Sequence, residues 1–384
     1  MSEGRQVYFG AEIFDGAAMH GDLALVVEGG VVRSFEPVVS RPRGGGQIDL
    51  QGGVLAPGFV DAQVNGGGGV LFNATPTVAG IAAIAAAHLR FGTTALLPTV
   101  ITDAPATLAA ALEAAGQAQG RVPGALGVHV EGPYIDARRK GVHPERFIRA
   151  MGDADVERLI AALRGVTLVT LAPCAASGAR IARLAQAGVV VSLGHSECSA
   201  EEAQAAFAAG ASGVTHLYNA MSQLGSRQPG LVGAALASRA VICGLIADGQ
   251  HVHEAAARAA YAAKGPGGIA LVSDAMPPAA GGPGEFELMG RHVTRHGDRL
   301  SAEDGTLAGA AITMLEALRH CVDALRIPLA DALQMATLTP ARLLRIDDRV
   351  GRIRVGADAD FVHLRDGVAL AGVWRRGVAV GGLT

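Results

Sequence analysis

The sequence predicts an α/β protein built on a (β/α)8 TIM-like barrel, with a small β-sandwich formed by both ends of the chain. Two observations support this prediction. Through the middle of the chain, short apolar runs alternate with alanine-rich stretches of helical length, a pattern typical of repeated βα units. At both ends, short strands are separated by glycine turns instead. With 384 residues, half of them apolar, the chain can bury a sizeable core.

The two chain ends have the pattern of β-hairpins. Residues 1–55 contain the runs AEIF, LALVVE and VVRSF, separated by glycine-rich turns. Residues 350–384 show the same pattern in DFVHL and GVALAGVWRRG. Neither piece is long enough to bury a core alone, so we expect them to meet in one small β-sandwich domain.

Residues 56–349 are predicted to form the catalytic barrel, whose usual length in this fold is about 250 residues. Eight candidate strands follow one another, at 58–64, 94–97, 126–130, 167–171, 189–193, 213–215, 242–247 and 269–273. Predicted helices follow most of them, for example at 78–90, 104–115, 154–164, 179–187 and 201–209. Two further helices, at 312–324 and 329–337, are expected to pack outside the barrel.

Composition and charge exclude several classes of protein. The formal net charge of −3 gives no general attraction for nucleic acid or an anionic membrane. The four cysteines lie far apart without a C-x-x-C pair, so we expect neither a disulfide framework nor a cysteine zinc site. The amino terminus shows no secretory leader, and no apolar stretch reaches the length of a membrane span. We therefore expect a cytoplasmic protein.

Side chains suited to catalysis follow four of the predicted strands. Glu131 follows the third strand, His195 the fifth, His216 the sixth and Asp274 the eighth. Because active sites of such barrels lie at the carboxyl-terminal ends of the strands, we expect these side chains to converge near the barrel axis.

Glu131, His195 and His216 match the ligand set of catalytic zinc sites, which have three protein ligands and keep one position open for water. A metal ion lowers the pKa of its bound water and polarises a carbonyl oxygen, so this set suits hydrolysis of an amide. Asp274 fits a general base that takes the proton of the water and returns it to the leaving nitrogen. We expect one divalent ion per chain, zinc first, with iron, manganese or cobalt as alternatives.

Each of these residues alone has a simpler explanation. A histidine after a strand is usually a hydrogen-bonded packing residue, and a lone aspartate is often a helix N-cap. Four such groups at the strand ends of one barrel favour the metal site. Strand alternation puts His129 on the same face as Glu131, and we expect it to support the ligands rather than to bind the ion.

A second metal ion is not expected. Lys140 and Lys264 are the only lysines, and neither lies at a predicted strand end where a carbamylated lysine would bridge two ions. The first strand, with DAQVN at 61–65, also lacks a His-x-His pair.

Seven motifs occur in order between residues 52 and 360: PGFVDAQVNGGGG, HVEGPY, LGHSECSAEEA, THLYNAM, IADGQHV, VSDAM and DGTLAGAAITM. Together they resemble the N-acetylglucosamine-6-phosphate deacetylases of the amidohydrolase superfamily. The resemblance implies hydrolysis of N-acetyl-D-glucosamine 6-phosphate to D-glucosamine 6-phosphate and acetate. It implies the same three metal ligands and the same catalytic aspartate. It also implies that Gln63 and Asn65 replace the His-x-His pair in a mononuclear site.

The resemblance further implies a set of substrate contacts. The contacts to the sugar phosphate are Asn219, Ala220, Arg227 and His251, and we add Asp248 to this group. The residues that line the sugar and acetyl pocket are Val142, His143, Leu307, Ala308 and Gly309. His143 is expected to polarise the acetyl carbonyl or to bind a sugar hydroxyl. Arg227 is expected to reach in from a neighbouring subunit, which implies a homodimer. Its glycine-flanked loop suits a phosphate contact, although a solvated surface arginine is an equal alternative from the residues alone.

Small departures from the family pattern and two rival functions remain. Members often carry threonine at Ser273 and serine within the loop that is here Ala308-Gly309-Ala310. Both changes are conservative, and we expect any effect to come from the loop change, on the fit of the acyl group. One rival is deacetylation of another N-acyl amino sugar phosphate, such as N-acetylgalactosamine 6-phosphate, because too few ring-hydroxyl contacts are evident. The other is a non-catalytic assembly protein, against which the intact metal and base residues argue.

Overall fold

The computed structural model describes residues 4–162, 164–297 and 299–381. Before the barrel, the chain forms β1 (Gln6–Phe9), β2 (Glu12–Phe14), β3 (Met19–His20), β4 (Leu23–Glu28), β5 (Val31–Pro37), β6 (Gly46–Asp49) and β7 (Val54–Pro57). The strands β5, β4, β1 and β6 form one four-stranded sheet in that order. The short turns between these strands use glycine in the left-handed conformation, as at Gly29 and Gly30, with φ of 63° and 77°.

The strands that follow are β8 (Phe59–Val64), β9 (Gly66–Gly67), β10 (Val70–Leu71), β11 (Thr93–Ile101), β12 (Gly127–Glu131), β13 (Val166–Leu171), β14 (Val190–Leu193), β15 (Gly213–Val214), β16 (Ile242–Leu245) and β17 (Ile269–Leu271). All except the hairpin β9–β10 belong to one parallel sheet, in which neighbours in sequence are neighbours in space. Across the seam between β8 and β17, Val64 pairs with Ala275, and the amide of Asp274 donates to the carbonyl of Gln63 at 3.0 Å. The sheet is therefore a nearly closed barrel, and the predicted fold is confirmed.

The helices are α1 (Val78–Leu89), α2 (Pro105–Ala118), α3 (Asp153–Ala161), α4 (Gly178–Gln186), α5 (Ala200–Ala208), α6 (Gly230–Ala237), α7 (Glu254–Lys264), α8 (Met314–Asp323), α9 (Leu329–Ala336) and α10 (Leu338–Leu343). The start of α5 shows how side chains fix a helix end. The Ser199 side chain accepts a hydrogen bond from the amide of Glu202, and the Glu202 side chain accepts one from the amide of Ser199, which forms a capping box. The predicted helix 154–164 corresponds to α3, while residue 163 lies outside the described residues. In the described parts of the chain, no helix is long and apolar enough to cross a bilayer.

An antiparallel sheet that the sequence analysis did not predict follows the last barrel strand. It consists of β18 (Glu285–Leu288), β19 (Arg291–His296), β20 (Arg299–Ala302) and β21 (Leu307–Ala310). Its apolar side chains Leu288, Val293 and Leu300 share a buried cluster with Met276. The amide of Ala310 donates to the carbonyl of Asp274 at 3.0 Å, so this sheet forms a wall beside the carboxyl-terminal ends of the barrel strands.

Both ends of the chain meet in a second, six-stranded sheet. It adds β22 (Phe361–Arg365), β23 (Ala369–Arg375) and β24 (Val378–Ala379) to β7, β2 and β3, in the order β24-β23-β22-β7-β2-β3. Between this sheet and the first, the ring of Tyr8 packs edge-on against Phe361 and Trp374, with centroid distances of 5.7 and 5.6 Å. The domain boundaries at 55/56 and 349/350 stay a prediction, and residues 1–3 and 382–384 of the predicted sandwich lie outside the described residues.

Candidate active site

The residues predicted at the strand ends converge at the carboxyl-terminal mouth of the barrel. Glu131 ends β12, His195 and His216 each come two residues after β14 and β15, and Asp274 comes three residues after β17. All four are buried. The backbone of His195, His216 and Asp274 is left-handed, with φ of 46°, 31° and 48°. Such a conformation costs energy for residues other than glycine and is concentrated at functional sites.

The side chains of Glu131, His195 and His216 form a compact donor set. The two histidine Nε2 atoms are 3.1 Å apart and lie 3.2 Å (His195) and 2.9 Å (His216) from Oε1 of Glu131. Nδ1 of His195 donates to the carbonyl of Arg139 at 2.8 Å, which directs Nε2 of the ring toward the other two groups. Two nitrogen donors and one carboxylate oxygen directed at one another suit a divalent metal ion, and this set fits such an ion.

The two carboxyl groups of the site differ in acidity. Burial opposes ionisation of Glu131, but its contacts with His195 and His216 outweigh burial and lower the pKa of Glu131 well below its usual range. Burial, and then the charge of Glu131, raise the pKa of Asp274 to about 6. A carboxyl group with a pKa closer to neutrality exchanges protons more readily under physiological conditions, which suits a general base that later acts as an acid.

Two amides from β8 and its end hold these carboxylates in place. Nε2 of Gln63 lies 3.0 Å from Oδ1 of Asp274 and 3.2 Å from both carboxylate oxygens of Glu131. Nδ2 of Asn65 donates to the same Asp274 oxygen at 2.7 Å. These amides therefore occupy the position next to the ligand set where the sequence lacks a His-x-His pair. They donate to carboxylates rather than offering imidazole nitrogens.

A third histidine lies against the donor set. The ring of His143 is 4.4 Å from that of His195, centroid to centroid, and its Nδ1 is 2.7 Å from Oγ1 of Thr102. Burial lowers the pKa of His143 to about 3, so this imidazole is neutral at physiological pH. With Nδ1 bound to Thr102, the remaining ring nitrogen is free to make one hydrogen bond to a ligand.

His251 follows β16 and is oriented by an aspartate. Nδ1 of His251 lies 2.7 Å from Oδ2 of Asp248, and two backbone amides of the same turn donate to the other carboxylate oxygen. An imidazole that donates from Nδ1 to a carboxylate keeps its Nε2 for another partner. Asp248 therefore orients His251 and does not itself line the cavity that His251 lines.

One cavity of about 390 Å³ contains most of the predicted site. The predicted residues that line it are Glu131, Val142, His143, His195, His216, Asn219, Ala220, His251, Asp274, Leu307 and Gly309. Ala308 is fully buried between two wall residues. Arg227 lies on the exposed loop 223–228 and does not line this cavity.

Several residues of the cavity wall were not predicted from the sequence: Ile101, Arg138, Arg139, Gly141, Ile246, Met276 and Thr306. The apolar members carry no chemical signature that separates them from core residues. The two adjacent arginines, Arg138 and Arg139, lie close in sequence to the predicted His143. Their position could have indicated that they line the site.

His129 lies beneath the site, where its ring nitrogens lie 3.2 and 2.7 Å from the hydroxyls of Thr99 and Thr170. Its role in supporting the ligands stays a prediction.

A nearly closed parallel barrel with a histidine and carboxylate donor set at its strand ends defines a class of metal-dependent hydrolases. The chain belongs to the amidohydrolase family, whose sequence profile matches residues 54–380. Among its relatives is an N-acetylgalactosamine-6-phosphate deacetylase of Shewanella sp., 40% identical over 96% of this chain and 94% of that protein. Another is an N-acetylglucosamine-6-phosphate deacetylase of Haemophilus influenzae, 36% identical over 88% of this chain and 90% of the relative.

A solved structure shows the same architecture. The crystal structure of N-acetylglucosamine-6-phosphate deacetylase from Pasteurella multocida superposes with a TM-score of 0.95 at 34% identity. The match covers 98% of this chain and 100% of the other. The family resemblance predicted from the seven sequence motifs is thus confirmed.

Proposed function

We propose that this protein hydrolyses N-acetyl-D-glucosamine 6-phosphate to D-glucosamine 6-phosphate and acetate. The observation that carries the proposal is the convergence of Glu131, His195, His216 and Asp274 in one cavity. The Haemophilus and Pasteurella relatives named for this reaction support the choice of substrate. The cytoplasmic location expected from the sequence stays a prediction.

The proposed chemistry gives each polar residue of the cavity a task. Water attacks the acetyl carbonyl carbon, and Asp274 takes one proton from it. His143 donates a hydrogen bond from its free ring nitrogen to the acetyl oxygen, where negative charge develops. When the carbon–nitrogen bond breaks, Asp274 returns the proton to the amino nitrogen, which leaves acetate and the free amine. Gln63 and Asn65 keep Asp274 oriented throughout.

Glu131, His195 and His216 would hold one divalent ion, which supplies Lewis acidity to the acetyl carbonyl and to the attacking water. We propose zinc, with iron, manganese or cobalt as alternatives, because a two-histidine, one-carboxylate set accepts each of them. Nδ1 of His195 is fixed by a carbonyl, as is usual for histidine ligands.

The phosphate end of the substrate is assigned to the part of the cavity that His251 lines. His251 offers Nε2 there, and Asn219 and Ala220 line the same cavity. Arg227 is proposed to complete this end from a second copy of the chain. In support, its loop 223–228 is exposed and is therefore open to contact with a second copy. The proposed assembly is a homodimer.

The galactosamine epimer is the second candidate substrate. The Shewanella relative, 40% identical over 96% of this chain, is named for N-acetylgalactosamine 6-phosphate. The two sugars differ only at the 4-hydroxyl, so the same metal site and base serve both. A non-catalytic assembly protein is not favoured, because nothing but chemistry requires the four catalytic residues together.

Acetate release from three compounds tests the proposal. Metal-loaded protein is assayed with N-acetylglucosamine 6-phosphate, N-acetylgalactosamine 6-phosphate and unphosphorylated N-acetylglucosamine, and kcat/KM is compared. A higher kcat/KM for the glucosamine phosphate supports the proposal, and loss of activity without phosphate supports the phosphate site. A higher kcat/KM for the galactosamine phosphate transfers the proposal to the second candidate. Failure of a metal-loaded sample to release acetate from either phosphate overturns both.

A further inference from the structure

A short segment at the mouth of the cavity runs alongside the loop that carries His195. This strap, residues 136–139, comprises Asp136 and a single 3-10 turn over Ala137–Arg139. The amide of Asp136 donates to the carbonyl of His195 at 2.9 Å, and Nδ1 of His195 donates to the carbonyl of Arg139 at 2.8 Å. The strap thus contacts the backbone and the ring of the same histidine.

Side chains fasten the strap to the same loop. The guanidinium of Arg139 forms an ion pair with the carboxylate of Glu197, two residues after His195. The amide of Glu197 donates to Oδ2 of Asp136 at 3.4 Å. Arg138 closes onto Asp136, with Nη2 of the arginine 2.6 Å from Oδ2. The side chains of Asp136 and Arg139 therefore contact the His195 loop, and Arg138 holds Asp136.

We propose that the Arg139–Glu197 ion pair is a positioning device for the metal ligand His195. Arg139 supplies both the side chain of the ion pair and the carbonyl that accepts the Nδ1 proton of His195. Tying the side chain to Glu197 therefore fixes the carbonyl at the distance that the imidazole requires. Arg139 and Glu197 are positioning residues, because they act on the ion only through His195. The inference rests on the proposed metal site.

The expected effect is a loss of metal affinity. Removing the hydrogen-bond partner of a histidine ligand typically weakens metal binding by about 10- to 100-fold. Glu197→Gln keeps the size of the side chain and removes the charge that holds Arg139, so we expect about tenfold weaker binding of Zn²⁺. Arg139→Gln should weaken binding to a similar extent. The double variant should bind Zn²⁺ as tightly as either single variant, because each substitution breaks the same contact.

The measurement is the dissociation constant of Zn²⁺ by competition with a chromophoric chelator, which needs no substrate. The matched control is Lys140→Gln, which breaks the neighbouring exposed ion pair of Lys140 with Glu145, whose Nζ–Oε2 distance is 2.7 Å. This control should bind Zn²⁺ as the wild type does. The thermal midpoint of each metal-free variant shows whether it is folded. Should a single variant fail to fold, the charge-reversed pair Arg139→Glu with Glu197→Arg is measured instead and should bind more tightly than Arg139→Glu alone.

Two failures are distinguishable. If the wild type takes up neither Zn²⁺ nor the alternatives Fe²⁺, Mn²⁺ and Co²⁺, the proposed metal site falls, and the proposed function falls with it. If the wild type binds one ion and a folded Glu197→Gln protein binds it equally well, the positioning role is overturned while the proposed function stands. A rise in KM for Arg139→Gln with unchanged Zn²⁺ affinity also overturns it, because the arginine would then act on substrate from the cavity wall.

Discussion

Asp274 is the residue whose surroundings say most about the chemistry. Its carboxylate is buried, lies near the negative charge of Glu131, and accepts hydrogen bonds from Gln63 and Asn65. Burial and Glu131 raise its pKa, while the hydrogen bond from Asn65 lowers it. The pKa of about 6 therefore results from opposing effects of burial, charge and hydrogen bonding. Single substitutions can remove these effects one at a time.

We expect Asn65→Ala to move the acid limb of the kcat/KM profile to higher pH. A base must be ionised to work, so activity falls as the pH drops through its pKa. Losing the 2.7 Å hydrogen bond from Asn65 destabilises the ionised form and raises that pKa. The shift should be about half a pH unit to one unit. The measurement is kcat/KM against pH at saturating metal.

Asn73→Ala is the control for loss of a buried amide, since Asn73 bonds to Ile101 and Asp103 rather than to Asp274. Its acid limb should stay where the wild-type limb lies. An unchanged limb in Asn65→Ala, with unchanged metal content, would argue against Asp274 as the group that controls the rate.

Residues with reactive side chains at strand ends were predictable from sequence, because barrel topology dictates where those ends meet. Glu131, His195, His216 and Asp274 all line the same cavity. The partners that tune them were not predictable. His143 contacts Thr102, and His195 donates to the carbonyl of Arg139. These contacts depend on the conformation of the loops, which the hydrophobic periodicity of a sequence does not predict.

At the level of elements, regular βα units were predictable and the insertion after them was not. The β18–β21 sheet lies where the chain was expected to pass from the last strand to the outer helices. Its signals were present, since EFEL alternates in polarity and Met289-Gly290 separates it from RHVTRH, whose one apolar residue is Val293. They are weak because the sheet buries only one face, against the small cluster around Met276. Leu307 and Gly309 reach the cavity from this sheet.

One helix end depends on a single lysine. Nζ of Lys264, at the end of α7, is 3.2 Å from the carbonyl of Ala235 and 2.7 Å from that of Val241, and it also contacts the carbonyl of Ser238. These carbonyls lie at and just beyond the end of α6, where backbone acceptors lack helical partners and carry partial negative charge. Lys264 thus joins α6 to α7, and it does not line the cavity of the candidate active site.

We expect Lys264→Met to lower the free energy of unfolding by about 1–3 kcal/mol, because methionine keeps most of the apolar stem but donates no hydrogen bonds. Chemical denaturation measures the change, and kcat/KM should stay at the wild-type value. The control Arg258→Met removes an exposed cation of the same helix and should cost less than about 0.5 kcal/mol. Equal stability of Lys264→Met and wild type would contradict the capping role.

At the level of the whole molecule, the active site is proposed to need two chains. A phosphate-binding Arg227 on the exposed loop 223–228 makes sense only if a neighbouring copy covers the cavity. The motifs suggested this arrangement through family resemblance alone. A single chain cannot reveal it from periodicity or burial, because an exposed arginine looks the same whether or not a partner binds there.

Mixing two inactive variants tests the shared site. Arg227→Ala should impair the phosphate site of its neighbour, and Asp274→Asn should disable its own site. In a mixed dimer, the chain with intact Asp274 receives Arg227 from the other chain, so one complete site returns. After subunit exchange, an equal mixture should recover about a quarter of wild-type activity, since half the dimers are mixed. Activity equal to the sum of the separate variants, or a monomer by sedimentation, would contradict a shared site.

The most direct test of the whole account is acetate release by Asp274→Asn protein that carries one metal ion per chain. Asparagine has nearly the same shape as aspartate but cannot accept the proton of the attacking water. We predict that this variant binds the ion and N-acetylglucosamine 6-phosphate as the wild type does, while kcat falls by about 100- to 10,000-fold. Turnover near the wild-type rate at full metal occupancy would contradict the assignment of Asp274 as the base, and with it the proposed chemistry.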